Sequence, residues 1–255
     1  MDELIAPEEC TSIIHLPALL EDLSAFKEEW LASPFSTRLS SLLLARSEGW
    51  GVDRAVLIGL GNMTPDAREC DEDEDEYRLR HKGRLIQLMI FIEIVNILST
   101  AQSARPIEMY ASDPTFQHID EALLGKLNIK IFKKGEELVT SSTFVYSPFA
   151  PWPAGVDAIR HSPELYLGVS WKGTTELYSL QSSYGFEMTD EQFAIMENFL
   201  QTRLMYSFPG LESFPDSQFE KCDPELVELA LEGFWGAFRF YWPKPVLPAR
   251  RKTRR

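Results

Sequence analysis

The stretch Arg54-Ala55-Val56-Leu57-Ile58-Gly59-Leu60-Gly61-Asn62 reads as a short buried strand that runs into a glycine turn. Val56, Leu57 and Ile58 form an apolar run without polar alternation, as in a parallel strand covered on both faces. Gly59 and Gly61 accept backbone angles denied to other residues and let the chain pass close to a ligand. In a doubly wound sheet, such a turn at the end of the first strand faces a cofactor. The third glycine of the dinucleotide fingerprint is missing, and an acidic stretch stands where a helix should open at once. A structural tight turn and a ligand-facing loop are therefore level readings.

Upstream of the turn, Leu19, Leu20, Leu23, Phe26, Trp30 and Leu31 recur at helical spacing. Ser33 caps a second helix with Pro34 in its first turn, and Phe35, Leu39, Leu42 and Leu43 form its apolar stripe. His15 reads as a linker or surface residue. Downstream, Met63 to Gly83 reads as a solvated, mobile loop, almost wholly acidic from Glu69 to Glu76. A bound cation or a basic partner is the sharper alternative, but the run lacks the alternating ligands and turn glycine of a calcium loop. Arg84 to Thr100 is apolar almost all the way round. Its uninterrupted run is too short to span a bilayer, and Gln87, Glu93 and Asn96 break it, so a buried helix is expected.

Ile107–Tyr110 is the second expected strand, followed by a helix with Asp113 as N-cap and Pro114 in its first turn. Phe116, Ile119, Leu123 and Leu124 lie on that helix, which ends near Gly125. Ile129–Phe132 and Thr143–Tyr146 are the third and fourth strands, and Leu165–Ser170 is the fifth. The prolines of the Ser147–Pro153 loop argue against regular structure there. Thr189-Asp190-Glu191-Gln192 has the form of a capping box, opening a helix that buries Phe193, Met196, Leu200 and Leu204. Asp223-Pro224 opens a last helix, aromatic at its end, through Phe238. The expected fold is α/β: a Rossmann-like, mostly parallel sheet flanked by helices, with N-terminal and C-terminal helical additions. Residues 1–242 form one domain, with its core at about 30–175 and a C-terminal helical extension at 189–242. Residues 243–255 form a basic disordered tail.

The net charge of -14 over 255 residues argues against general nucleic-acid binding, which needs a basic surface. Cys10, Cys70 and Cys222 show neither a disulfide framework nor zinc spacing, which suits a reducing compartment. With no signal peptide in view, the expectation is a cytoplasmic protein, neither secreted nor in a membrane, with the cluster Arg250–Arg255 as a candidate nuclear signal. The aromatic C-terminal helix and this basic tail are the candidate partner surfaces.

No catalytic set emerges. His81, His118 and His161 adjoin no nucleophile motif, and the sequence holds no Cys/His pairs with zinc spacing. No cofactor is evident; a nucleotide or a methyl donor is the class the fold would accommodate. Asp113 lies just after the second strand, where dinucleotide and methyl-donor folds place an acid for ribose hydroxyls; the bland reading is a helix cap. Gly59, Gly61, Asn62, Asp113, Ser147 and Ser170 fall at strand ends on one expected sheet edge and form the candidate ligand site.

The order of motifs resembles the sensitivity-to-red-light-reduced domain family of plants, animals and fungi, and a fungal-type member is expected. The resemblance rests on Ser33-Pro34-Phe35, Gly59-Leu60-Gly61, Arg84-Leu85-Ile86-Gln87-Leu88, Tyr110 with Asp113-Pro114-Thr115-Phe116, and Thr143-Phe144-Val145-Tyr146-Ser147-Pro148. It covers roughly residues 30 to 175. It implies a Rossmann-like domain and a regulatory role, with plant members linked to light signalling and the circadian clock and no reaction common to the family. Many members carry Pro-His-Cys after the fourth strand and Gly-Asn-Ser after the fifth. Here the residues are Pro148-Phe149-Ala150 and Gly168-Val169-Ser170, so the chain departs from the pattern at that His and Cys, and chemistry resting on them is not expected to carry over. The expectation is a non-catalytic regulator, with a methyl-donor- or nucleotide-dependent transferase as the alternative.

Overall fold

The computed structural model describes residues 16–46, 49–63, 74–148, 150–171, 188–207 and 238–244. The chain opens with helices α1 (Leu16–Ala32) and α2 (Pro34–Arg46), then enters strand β1 (Arg54–Ile58) and helix α3 (Glu74–Ala101). Strand β2 (Glu108–Ser112), helix α4 (His118–Lys126) and strand β3 (Ile129–Ile131) follow. A 3-10 turn (Gly135–Leu138) leads to β4 (Thr143–Ser147), α5 (Trp152–Arg160) and β5 (Leu165–Val169). Helix α6 (Asp190–Thr202) runs straight into β6 (Arg203–Ser207), and β7 (Phe238–Pro243) comes last.

The strands form one seven-stranded sheet in the order β3-β2-β1-β4-β5-β7-β6. β1 to β5 pair in parallel, whereas β7 runs antiparallel to both β5 and β6. The mostly parallel, Rossmann-like α/β architecture is therefore present. Period-two alternation sorts the central strands between two cores. Ala55, Leu57, Phe144, Tyr146, Leu165 and Leu167 face α1 to α4, and Val56, Ile58, Val145 and Tyr166 face α5, α6 and the 3-10 turn. Both faces are covered, which is why β1 needs no polar alternation.

Helix α3 is the main buttress of the first face. Its Gly83–Ala101 stretch is long and apolar enough to cross a membrane, yet 61% of it is buried inside the fold. The buried Glu93 that interrupts it is held by Lys27 at 3.1 Å and by the Asn96 amide at 3.2 Å. Ser33 takes the expected place between α1 and α2: its hydroxyl accepts the Ser36 N–H at 3.2 Å. The Thr189 capping box is also present, with Thr189 Oγ1 accepting the Gln192 N–H and Gln192 accepting the Thr189 N–H.

Four local expectations are corrected. Helix α3 begins at Glu74, inside the stretch read as a loop; acidic residues suit the first turn of a helix, where the dipole favours negative charge. The rest of the acidic run, up to residue 73, lies outside the described residues. The proline-rich loop closes into α5, with Pro151 as N-cap and Pro153 in the first turn, positions where a missing N–H costs no helical hydrogen bond. Leu204 leaves the helix and lies in β6, because α6 stops at Thr202 and the backbone turns extended at Arg203. Phe238, assigned from sequence to the end of a last helix, opens β7, where Phe238, Phe240 and Trp242 point to one core and Tyr241 to the other. The remainder of that helix and residues 245–255 of the tail expected over 243–255 lie outside the described residues, while Pro243 ends β7 and the Lys244 N–H donates to the Thr202 carbonyl at 3.1 Å.

Candidate ligand site at the carboxyl edge of the sheet

The strand order reverses between β1 and β4, so the crevice at their carboxyl ends is the topological switch point where doubly wound sheets take ligands. Register places the ends of β2 and β5 on the same edge: Ile58 lies opposite Ser112, and Ser147 opposite Gly168. The glycine turn caps β1 there, with Gly59 and Gly61 at φ +76° and +78°. A Cβ at Gly61 would lie 3.0 Å from Arg84 Nε, so the left-handed backbone and the close side chain both call for glycine.

The turn is held by the protein itself. The Gly59 N–H donates to the Ser112 carbonyl at 3.1 Å. The Gly61 N–H donates to Asp113 Oδ2 at 2.7 Å, and the Met63 N–H to Asp120 Oδ1 at 2.8 Å. From α3, Arg84 Nη1 donates to the Asn62 carbonyl and to Asn62 Oδ1, the latter at 2.9 Å. His81 Nδ1 lies 2.7 Å from the Met63 carbonyl, which requires that nitrogen to carry a proton.

Asp113 does not cap α4. That helix starts at His118 with Gln117 as its N-cap. Asp113 instead bridges: Oδ1 accepts the Thr115 N–H at 2.9 Å and the Thr115 hydroxyl at 2.6 Å, while Oδ2 holds Gly61. Asp120 is fully buried and also accepts the Gln117 N–H, at 2.8 Å. Burial raises its pKa, the two backbone donors and Arg84 oppose the rise, and the Asp113 charge adds to it. Burial likewise lowers the His81 pKa, against the pull of Met63 and Asp22. The imidazole is therefore neutral at neutral pH.

Ser147 and Ser170 lie at the ends of β4 and β5, beside a different group. Ser147 neighbours the Tyr166 hydroxyl and Ser170 the Tyr241 hydroxyl. Burial raises the pKa of both phenols. The Tyr241 oxygen accepts the Trp171 N–H at 2.9 Å. A Cβ at Gly168 would sit 2.8 Å from the Ser147 carbonyl, so that strand position is closed to larger residues. The six sequence-predicted residues thus share one edge in two groups: Gly59, Gly61, Asn62 and Asp113 in one network, Ser147 and Ser170 in the other.

Sequence reasoning assigned no role to Arg84, Asp120 or His81. Asp120 carried a signal: it lies four residues after Phe116 and three and four before Leu123 and Leu124, a carboxylate on an apolar helical stripe. Arg84 stands where the apolar helix was expected to begin, which gave no hint that it turns back onto Asn62. Among the described residues no group of three or more His, Cys, Asp or Glu could hold a metal ion.

The family model of the SRR1 domain matches residues 28–230, from inside α1 to beyond β6. The chain belongs to the SRR1 domain family. A regulatory, signalling-type role comes with that membership. Neither a curated protein nor a solved structure matches the chain. The SRR1 match contains the glycine turn, Arg84, Asp113 and Asp120, and leaves β7 outside its boundary.

Proposed function

We propose that this SRR1-domain protein is a non-catalytic regulator that senses a nucleotide-like small ligand at the carboxyl edge of its sheet, in signalling of the circadian type. The observation that carries the reading is the meeting, at the β1/β4 switch point, of a positive-φ glycine turn with the carboxylate that follows β2. A regulator needs binding without turnover, and no residue triad for nucleophilic catalysis was found in the sequence. The cytoplasm or nucleus is the proposed setting, with protein partners met through the aromatic and basic C-terminal sequence.

One observation favours the transferase reading. Inserting a reversed β7 between β5 and a parallel β6 is the strand arrangement of many methyl-donor-dependent transferases. This is an analogy of fold, and folds host many functions. Native mass spectrometry of the purified protein, followed by a thermal-shift screen of nucleotides and methyl donors, tests both readings. A ligand that stabilises the protein without being converted supports the regulator. Turnover of a methyl donor with an acceptor supports the transferase. No stabilisation by any member at millimolar concentration would end both.

A further inference from the structure

We infer that the ligand taken at this edge carries a nucleoside moiety and no phosphate, an inference that rests on the proposed site. In dinucleotide and nucleotide folds, the glycine turn binds phosphate through backbone N–H groups left free to point at it. Here three N–H groups of the turn are already engaged: those of Gly59, Gly61 and Met63 go to Ser112, Asp113 and Asp120, at 3.1, 2.7 and 2.8 Å. Arg84, the cation of this network, is drawn onto both oxygens of Asn62. Two of the acceptors in the cluster are carboxylates, Asp113 and Asp120. A di- or triphosphate would meet like charge with three backbone donors already used. A neutral or cationic nucleoside meets no such repulsion.

Asp113 also retains capacity for such a ligand. A carboxylate offers about four lone-pair sites, and three are taken by Gly61 N–H, Thr115 N–H and the Thr115 hydroxyl. Thr115 is exposed, so its hydroxyl is able to rotate away and yield a second acceptor site to a ribose diol. Asp113 is thereby assigned a dual part, holding the turn with one oxygen and reading a sugar with the other.

The test is calorimetric titration of the full chain with adenosine, S-adenosylmethionine and ADP, at low and at high salt. The expected result is at least tenfold tighter binding of one of the two phosphate-free ligands than of ADP. Salt should narrow that gap, because screening weakens the repulsion. Asp113→Asn, checked by its melting curve, should weaken the phosphate-free ligand at least tenfold. ADP binding as tightly as the best phosphate-free ligand would overturn this inference and leave the proposed site standing. Silence from all three ligands at millimolar concentration would overturn both. The salt comparison uses the unmodified protein, so it decides the matter even if Asp113→Asn melts early.

Discussion

The β1–β2 end of the carboxyl edge and the β4–β5–β7 end are finished with different materials. At β1–β2, charged side chains close on backbone groups: Asp113 on Gly61, Asp120 on Met63 and Arg84 on Asn62. At β4–β5–β7, rings pack on rings. Phe91 stacks on Phe144 and Tyr146 with centroids at 6.0 and 6.3 Å, and Tyr166 meets Phe199 and Tyr241 at 5.9 and 6.0 Å. Apolar packing of that kind is non-directional and stabilises in proportion to area buried. A polar clasp is directional, its net worth per bond is small, and its failure is costly once a buried group loses its partner. The aromatic end therefore carries stability, while the polar end carries shape and is the end a ligand can compete with.

The largest expected effect lies at the aromatic end. Phe91 is fully buried between α3 and β4, and Phe91→Ala should cost about 3–5 kcal/mol in urea unfolding. A loss under about 1 kcal/mol would show that the two ends do not differ as described. At the polar end, Asp120→Ala leaves the Met63 and Gln117 N–H groups without their acceptor. The buried Met63 N–H, orphaned, costs about 1–3 kcal/mol, and hydrogen exchange should rise at Met63 while the strands stay protected. Uniform loss of protection across the sheet would merge the clasp with the core.

Gly61→Ala should cost about 1–3 kcal/mol, since the substitution meets both a left-handed backbone and the Arg84 side chain. Pairing it with Arg84→Ala in a double-mutant cycle separates the two causes: if crowding contributes, the cycle shows coupling. Additive effects would assign the whole cost to backbone conformation. The smallest effect is expected from Tyr146→Phe. Among the described residues the fully buried Tyr146 hydroxyl has no hydrogen-bond partner, and burial alone holds its pKa well above the ordinary phenol value. Removing the hydroxyl should leave stability within about 0.5 kcal/mol of the parent or raise it. A drop beyond about 1 kcal/mol in the melting analysis would reveal a partner for that hydroxyl and make this part of the aromatic end polar as well.

Local pattern alone determined a good deal about this protein. The apolar run Val56–Ile58 is short, rich in β-branched residues and closed by Gly59, which marks a strand covered on both faces rather than a buried helix. Ser33 and Thr189 mark helix starts because their hydroxyls accept the Ser36 and Gln192 N–H groups of the turn that follows. The order of such elements was enough for an α/β sheet with the candidate residues on one edge. Tertiary structure decided the rest. Arg203–Ser207 and Phe238–Pro243 become strands by pairing with each other and with β5, a partnership between segments far apart in the chain. Asp113 could serve as a helix cap or a bridge by its chemistry; the proximity of the Gly61 N–H, 52 residues away in sequence, made it a bridge. Arg84 and Asp120 join the same turn for the same reason. Sequence spacing limits the bonds a side chain makes within its own turn of helix or strand, and only the packing of distant elements sets which other groups it can reach.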